Sequence, residues 1–291
     1  MMSLTKDRVS VREGGLSGCG ICSRSCEPSG RRIGGYDLYW CSSCDLYFAP
    51  NAFGALPDYD KAYSTPAYIR NQVEQIRRAK DKSVFARIPT YEAFFQKESS
   101  ERERRTLLDV GCGVGRFCHA AHAAGWDVTG IDISQSAISI GSSLAPFALN
   151  CLSLDDLAGD TSHYAVVTAF EVVEHLPSPI DFVRKASRLL IDGGTFFFTV
   201  PNWNCRLVRN ATHYDAVPPY HVNFFTETAC VALLQASGFT DIRSGIILVD
   251  RYPSSLRHFP KWAIGRLLAR PQDRGVWAAG DLPAKHLGVN A

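Results

Sequence analysis

The stretch "LLDVGCGVGRFC", Leu107 to Cys118, sets three glycines in five positions directly after an apolar run that contains a single acid, Asp109. Leu107–Val110 reads as a buried strand and Arg116–Ala124 as the helix after it, so Gly111, Gly113 and Gly115 form the turn between them. Glycines in such a turn let the backbone approach a ligand closely, and a strand-to-helix turn is where α/β folds bind nucleotides. The dinucleotide fingerprint G-x-G-x-x-G requires a glycine at position 116, where this chain has Arg116.

Outward from this turn the chain alternates between short apolar strands and amphipathic helices. Val128–Ile131, Ala165–Phe170, Thr195–Val200 and Ile242–Val249 read as strands. Ser136–Leu144, Ile180–Leu190 and Thr226–Ser237 read as helices, the second stopped by the "DGG" turn Asp192–Gly194. This alternation predicts the α/β class with a doubly wound, Rossmann-like parallel sheet whose ligands lie at the carboxyl ends of the strands. Asp132 follows the second strand, seventeen residues after Gly115. It stands where an acid accepts the two hydroxyls of a ribose. A tight loop without the third fingerprint glycine suits a nucleoside that lacks a pyrophosphate, and S-adenosylmethionine is such a ligand.

Composition separates four segments. Residues 1–50 are rich in Cys, Gly and Ser; residues 51–105 are polar and predict one or two connecting helices; residues 106–250 carry the alternating pattern; residues 251–291 form a C-terminal extension. In the first segment Cys19-x-x-Cys22 and Cys41-x-x-Cys44 make two knuckles eighteen residues apart. Four thiolates at that spacing suit a structural Zn2+ in a zinc ribbon, closed by four sulfurs and without a position for substrate. The flanks in "YDLYWCSSCDLYF" are strand-like, and Cys26 is a fifth candidate ligand.

The whole chain of 291 residues is 46% hydrophobic and 21% charged, with a formal net charge of +2. That balance gives no support to a nucleic-acid partner. No apolar run reaches the roughly 18 residues of a membrane span, and the first residues lack an apolar signal core. The expected location is therefore cytoplasmic, where clustered cysteines bind metal rather than pair. The segment "RYPSSLRHFPKWAIGRLLAR" mixes basic and apolar residues, a composition for packing on its own domain or for peripheral contact with a membrane or lipid.

The motifs "LLDVGCGVG", "VTGIDIS", "YAVVTAFEVVEHLPSP", "LLIDGGTFFFTVPN" and "LLQASGF" resemble those of class I S-adenosylmethionine-dependent methyltransferases. Within that family they are similar to the ubiquinone-biosynthesis O-methyltransferase branch, and many members carry an N-terminal zinc ribbon. The resemblance covers residues 105–245 and implies roles residue by residue. Gly111, Gly113 and Gly115 would line the methionine and ribose, and Asp109 would hold the methionine amino group. Asp132 would take the ribose hydroxyls, with Ile133 on the adenine and Leu154 and Asp155 at its edge. Phe170 and Glu171 would face the methionine and the acceptor. The family ends with a seventh strand, often after a Gly-Asp pair. Here Gly280-Asp281 leads into "LPAKHLGVNA", whose breakers predict a strand that is short, displaced or absent.

Methyl transfer from a sulfonium is an in-line displacement, so alignment and desolvation are the main tasks. A carboxylate acceptor needs no general base; a hydroxyl acceptor does, and histidine suits that role. His175, in "EVVEHLPSP", and His221, in the proline-rigidified "PPYHVNFF" near Tyr214 and Tyr220, stand where a base is wanted. A small-molecule acceptor, hydroxyl or carboxyl and in one version lipid-like, is the leading expectation. A sugar or polysaccharide methyltransferase is the alternative, favoured by the ribbon and His221. An RNA methyltransferase, suggested by Arg24, Arg31 and Arg32 on the ribbon, lacks both a basic surface and the Asn/Asp-Pro-Pro-aromatic motif.

Overall fold

Two β-sheets organise the protein in a computed structural model that describes residues 18–58, 66–97, 104–157, 159, 163–210, 216–249 and 272–281. The N-terminal sheet begins with strands β1 (Glu27–Ile33), β2 (Tyr36–Cys41) and β3 (Leu46–Phe48), all antiparallel. The turn Gly34-Gly35 joins the first two, and its positive φ values of 57° and 88° match the twist of a two-residue hairpin. Helices α1 (Pro66–Arg78) and α2 (Pro89–Lys97) occupy the connector.

The main sheet is then laid down by β4 (Thr106–Val110), α3 (Arg116–Ala123), β5 (Asp127–Asp132), α4 (Gln135–Ser142), β6 (Ala148–Cys151), β7 (Tyr164–Phe170), α5 (Pro179–Arg188) and β8 (Leu190–Pro201). After β9 (Asn223–Phe224) and α6 (Glu227–Ala236), β10 (Thr240–Val249) and β11 (Gln272–Asp281) close it. The order across the sheet is β10-β11-β8-β7-β4-β5-β6, parallel from β8 to β6 and antiparallel at β11. The sheet therefore reverses direction of winding between β4 and β7, the switch point where such folds bind ligands.

Burial on both faces explains the unbroken apolar strands. Phe196, Phe197 and Phe198 are all fully buried. Phe196 and Phe198 face a core with Val183 of α5 and Leu233 of α6, while Phe197 faces Phe94 of α2, Phe117 of α3 and Trp277 of β11. Ser134 and Thr226 cap α4 and α6, each hydroxyl accepting a backbone N–H three residues on. No helix among the described residues is long and apolar enough to cross a membrane.

The structure departs from the sequence pattern at four points. β11 is a ten-residue strand that ends at Gly280-Asp281 instead of starting there. Its run Val276–Ala279 is buried between β8 and β10, and Trp277 stacks on Phe197 at 5.8 Å. The sheet thus takes a strand from the segment assigned to the C-terminal extension. The "DGG" stretch does not stop α5, which ends at Arg188; Asp192–Gly194 bulge within β8, where Gly193 has φ 72°. β6 was not expected, because four residues reading Ala-Leu-Asn-Cys carry little periodicity. Finally, the N-terminal sheet is not self-contained: β9, from the methyltransferase-like segment, pairs with β3 as its fourth strand. The basic amphipathic run 251–270 and Tyr214 lie outside the described residues.

A candidate cofactor and acceptor site

Strand β4 ends in the glycine turn, and three left-handed residues shape it: Gly111 at φ 76°, Gly113 at 55° and Gly115 at 81°. A Cβ on Gly111 would stand 2.5 Å from Val172 Cγ2, so the turn packs directly on the chain leaving β7. A Cβ on Gly113 would meet no atom within 4 Å, which marks open space in front of the turn. The Gly113 N–H donates to Asp132 Oδ2 at 2.8 Å, and the Ser134 N–H donates to Oδ1 at 2.8 Å. Asp132 is therefore fixed beside the turn by two backbone donors. Next to it Ile133 leaves 55% of its surface exposed, an apolar side chain open for a flat ring.

Asp109 is buried under the turn at 2% exposure. Thr168 Oγ1 donates to its Oδ1 at 2.8 Å, and Cys118 Sγ donates to Oδ2 at 3.5 Å. Burial outweighs these donors and pushes its carboxyl up to about 7. Leu154 is buried in the core. Asp155 instead points to α5, where it pairs with Lys185.

At the end of β7, Phe170 contacts Phe117 at 4.4 Å and Tyr91 of α2 at 4.9 Å, forming an aromatic wall. Glu171 takes a left-handed φ of 56° and accepts a hydrogen bond from Thr199 Oγ1 at 2.8 Å. Desolvation raises its carboxyl to about 7 against this hydrogen bond.

Just beyond, the structure brings the two candidate histidines together. The rings of His175 and His221 lie 4.6 Å apart, edge to face. His175 Nδ1 donates to the Tyr220 carbonyl at 2.9 Å, which leaves its Nε2 as the basic nitrogen. Both Nε2 atoms stand 4.0 Å from Oε1 of Glu174. Glu174 is 1% exposed, and neither of its carboxylate oxygens has a hydrogen-bond partner. Burial holds its carboxyl well above the usual carboxylate range, and burial with the neighbouring His175 lowers His221 to about 3. A neutral imidazole with so low a pKa is a poor proton acceptor near pH 7 but a competent ligand or hydrogen-bond acceptor. The sequence places Glu174 beside His175 as a Glu-His pair of largely structural role, and does not show that His221 joins them in space.

In the N-terminal sheet Cys19, Cys22, Cys41 and Cys44 bring their sulfurs within 4.8 Å of one another, and Cys22 and Cys41 stand 3.6 Å apart. A zinc tetrahedron with bonds of about 2.3 Å has edges of roughly 3.8 Å, so the cluster fits that ion. Burial pushes the Cys19 thiol up to about 11 and Cys44 further, a cost that a bound dication reverses. Cys26 is outside the group: its thiol donates to the Arg24 carbonyl at 3.3 Å.

Residues 77–244, more than half of the chain, match a methyltransferase domain family. The ubiquinone biosynthesis O-methyltransferase of Bordetella avium is 33% identical over 117 residues, 38% of this chain and 48% of the relative. The chain thus spans about half the length of the curated relative it matches. A SAM-dependent methyltransferase from Archaeoglobus fulgidus superposes with TM-score 0.52 at 16% identity, over 74% of this chain and 99% of that one. Phosphoethanolamine N-methyltransferase 2 of Haemonchus contortus, solved with S-adenosyl-L-methionine, gives TM-score 0.54 at 16% identity over 77% and 59%. At these identities the likeness is one of fold.

Proposed function

This chain belongs to the methyltransferase domain family, and we propose that it carries the methyl group of S-adenosylmethionine to a hydroxyl or carboxyl oxygen of a small organic acceptor. The observation that carries this reading is the likeness of its core to ubiquinone biosynthesis O-methyltransferases. In it, Gly111, Gly113 and Gly115 admit the cofactor, Asp132 holds the ribose and Ile133 packs on the adenine. Asp109 receives the methionine ammonium, whose charge stabilises the buried carboxylate. Phe170 and Glu171 face the methyl group, and His175 and His221 line the acceptor side. Asp155 contributes little, because its carboxylate is held by Lys185. The sulfonium is a good leaving group, so the chain supplies alignment and a dry cleft.

We assign zinc to Cys19, Cys22, Cys41 and Cys44 as a structural ion. A sugar acceptor is the second reading, favoured by the four-cysteine ribbon and by His221 in "PPYHVNFF". An RNA acceptor is disfavoured: Arg24 bonds Ser43, Arg32 pairs with Asp37, and Arg31 lies over the Tyr47 ring, so the ribbon arginines are engaged locally. Incubating the purified protein with methyl-labelled S-adenosylmethionine and a cell extract, followed by mass spectrometry, tests the reading. A labelled methyl ether or ester on a small molecule is expected, and label confined to RNA overturns it.

A further inference from the structure

We propose that Glu174, His175 and His221 bind a divalent transition-metal cation at the acceptor end of the cleft. The three residues come from two segments that the fold locks together. Glu174 and His175 lie on the turn Val173–His175 after β7, and His221 precedes β9. The Val222 N–H donates to the Glu174 carbonyl at 3.0 Å, which sets the two segments side by side.

The ligand atoms of all three residues lie within 4.8 Å of one another, and both imidazole Nε2 atoms are 4.0 Å from Glu174 Oε1. Bonds of about 2.1 Å in a tetrahedral set place ligand atoms roughly 3.4 Å apart, so the two Glu–His edges need closure by about half an ångström. The decisive feature is Glu174. A carboxylate that is 1% exposed with both oxygens unpartnered is costly unless a cation or a set of donors compensates it. Among the described residues its ion-pair neighbours are the two imidazoles, which ligate metals when neutral.

The orientation of His175 agrees. Its Nδ1–H donates to the Tyr220 carbonyl, the outer contact that turns a ligating histidine's other nitrogen inward. Two imidazoles and one carboxylate favour Zn2+, Fe2+, Co2+ or Mn2+ over Mg2+ or Ca2+, which prefer oxygen alone. Three protein ligands also leave a coordination position open, unlike the four-cysteine cluster. This inference rests on the methyltransferase reading and deepens it. A cation held there would make an acceptor hydroxyl in the open position more acidic, so that its proton could pass to water. Its oxygen then bonds to the methyl carbon as the carbon–sulfur bond breaks, and S-adenosylhomocysteine leaves.

Cobalt(II) titration of the full chain carrying a single equivalent of zinc, in the four-cysteine cluster, tests the site without relying on turnover. The expected result is one equivalent of Co2+ with visible d–d absorption and no thiolate charge-transfer band. Glu174→Gln and His221→Ala should each weaken its binding by about a hundredfold or more, whereas a change in the distant Lys185 should not. His221→Ala, on a separate segment, gives a second variant if Glu174→Gln fails to fold. Wild-type protein that binds S-adenosylmethionine yet takes up no such cobalt overturns the site. So does a cobalt spectrum that survives His221→Ala unchanged. Methyl transfer without the metal sinks only this inference; cobalt at the site without methyl transfer sustains it and sinks the acceptor reading.

Discussion

Asn223 pairs with Phe48 across the junction of β9 and β3, two residues from His221 and four from Cys44. On the same edge the Ala49 N–H donates to the Val222 carbonyl at 2.9 Å, and Thr226 Oγ1 donates to the Asp45 carbonyl at 3.1 Å. The backbone that carries His221 is therefore held on one side by the four-cysteine module and on the other by the turn that carries Glu174.

Removing the structural ion should disturb the acceptor side before the cofactor side. In Cys44→Ser we expect the thermal midpoint to fall by several degrees and turnover to drop at least about tenfold, since closed zinc sites contribute folding energy directly. S-adenosylmethionine affinity, read by isothermal titration calorimetry, should stay within about threefold. A cofactor affinity that collapses together with turnover would refute this division of labour.

Gly111→Ala and Gly113→Ala should separate folding from binding. Both place alanine in the left-handed region, at a cost of about 1–2 kcal/mol. Only Gly111→Ala also drives a methyl into Val172, adding roughly 1–3 kcal/mol in a urea titration. Val172→Ala should restore part of that second loss. Gly113→Ala should fold nearly normally and bind the cofactor at least about tenfold more weakly, because its methyl enters the ligand's space.

Asp132→Ala should weaken S-adenosylmethionine binding by more than about a hundredfold, from two lost charge-assisted hydrogen bonds of roughly 1.5–3 kcal/mol each. Asp132→Asn, which still offers an acceptor to the Gly113 N–H, should fall between the variant and the wild type. Calorimetry on the three proteins decides; equal affinities would remove Asp132 from the cofactor site.

The pH dependence follows from Asp109. Its folded carboxyl titrates near 7, against an ordinary value of 3.8. Between those values the folded chain holds a proton that the unfolded chain has released, so stability falls as pH rises from about 4 to about 7 and then levels. The loss attributable to this group is at most about 4 kcal/mol, and Asp109→Asn should flatten that slope. A cofactor ammonium beside Asp109 favours the carboxylate, so binding near pH 7 should release a proton. Calorimetry in buffers of different ionisation enthalpy reads that release, and its absence would contradict the assignment.

Local chemistry made much of this legible in the sequence. The glycine turn, Asp132 and the two cysteine knuckles are written in residue type and spacing, and the structure assembles the turn and the knuckles as such clusters. The partners that tune them are not local. Thr168 and Cys118 hold Asp109 from another strand and a helix, and Thr199 holds Glu171 from β8. Glu174 between two histidines depends on a contact between segments far apart in the chain. Two strands were hardest to read: β6 at the sheet edge is four residues long, and β11, inside the sheet, follows residues whose composition suggested an extension.

The borrowed strand β9 has a consequence for how this architecture can vary. A module ending at residue 50 looks like a cassette that recombination or a protein engineer could exchange. Removing it would strip β3 from β9 and bare Phe224 and Phe225, both now buried. An uncovered strand edge with two adjacent phenylalanines invites self-association. The cysteine module and the core are thus one unit of inheritance, and a homologue that dispenses with the first must also rewrite the segment around His221.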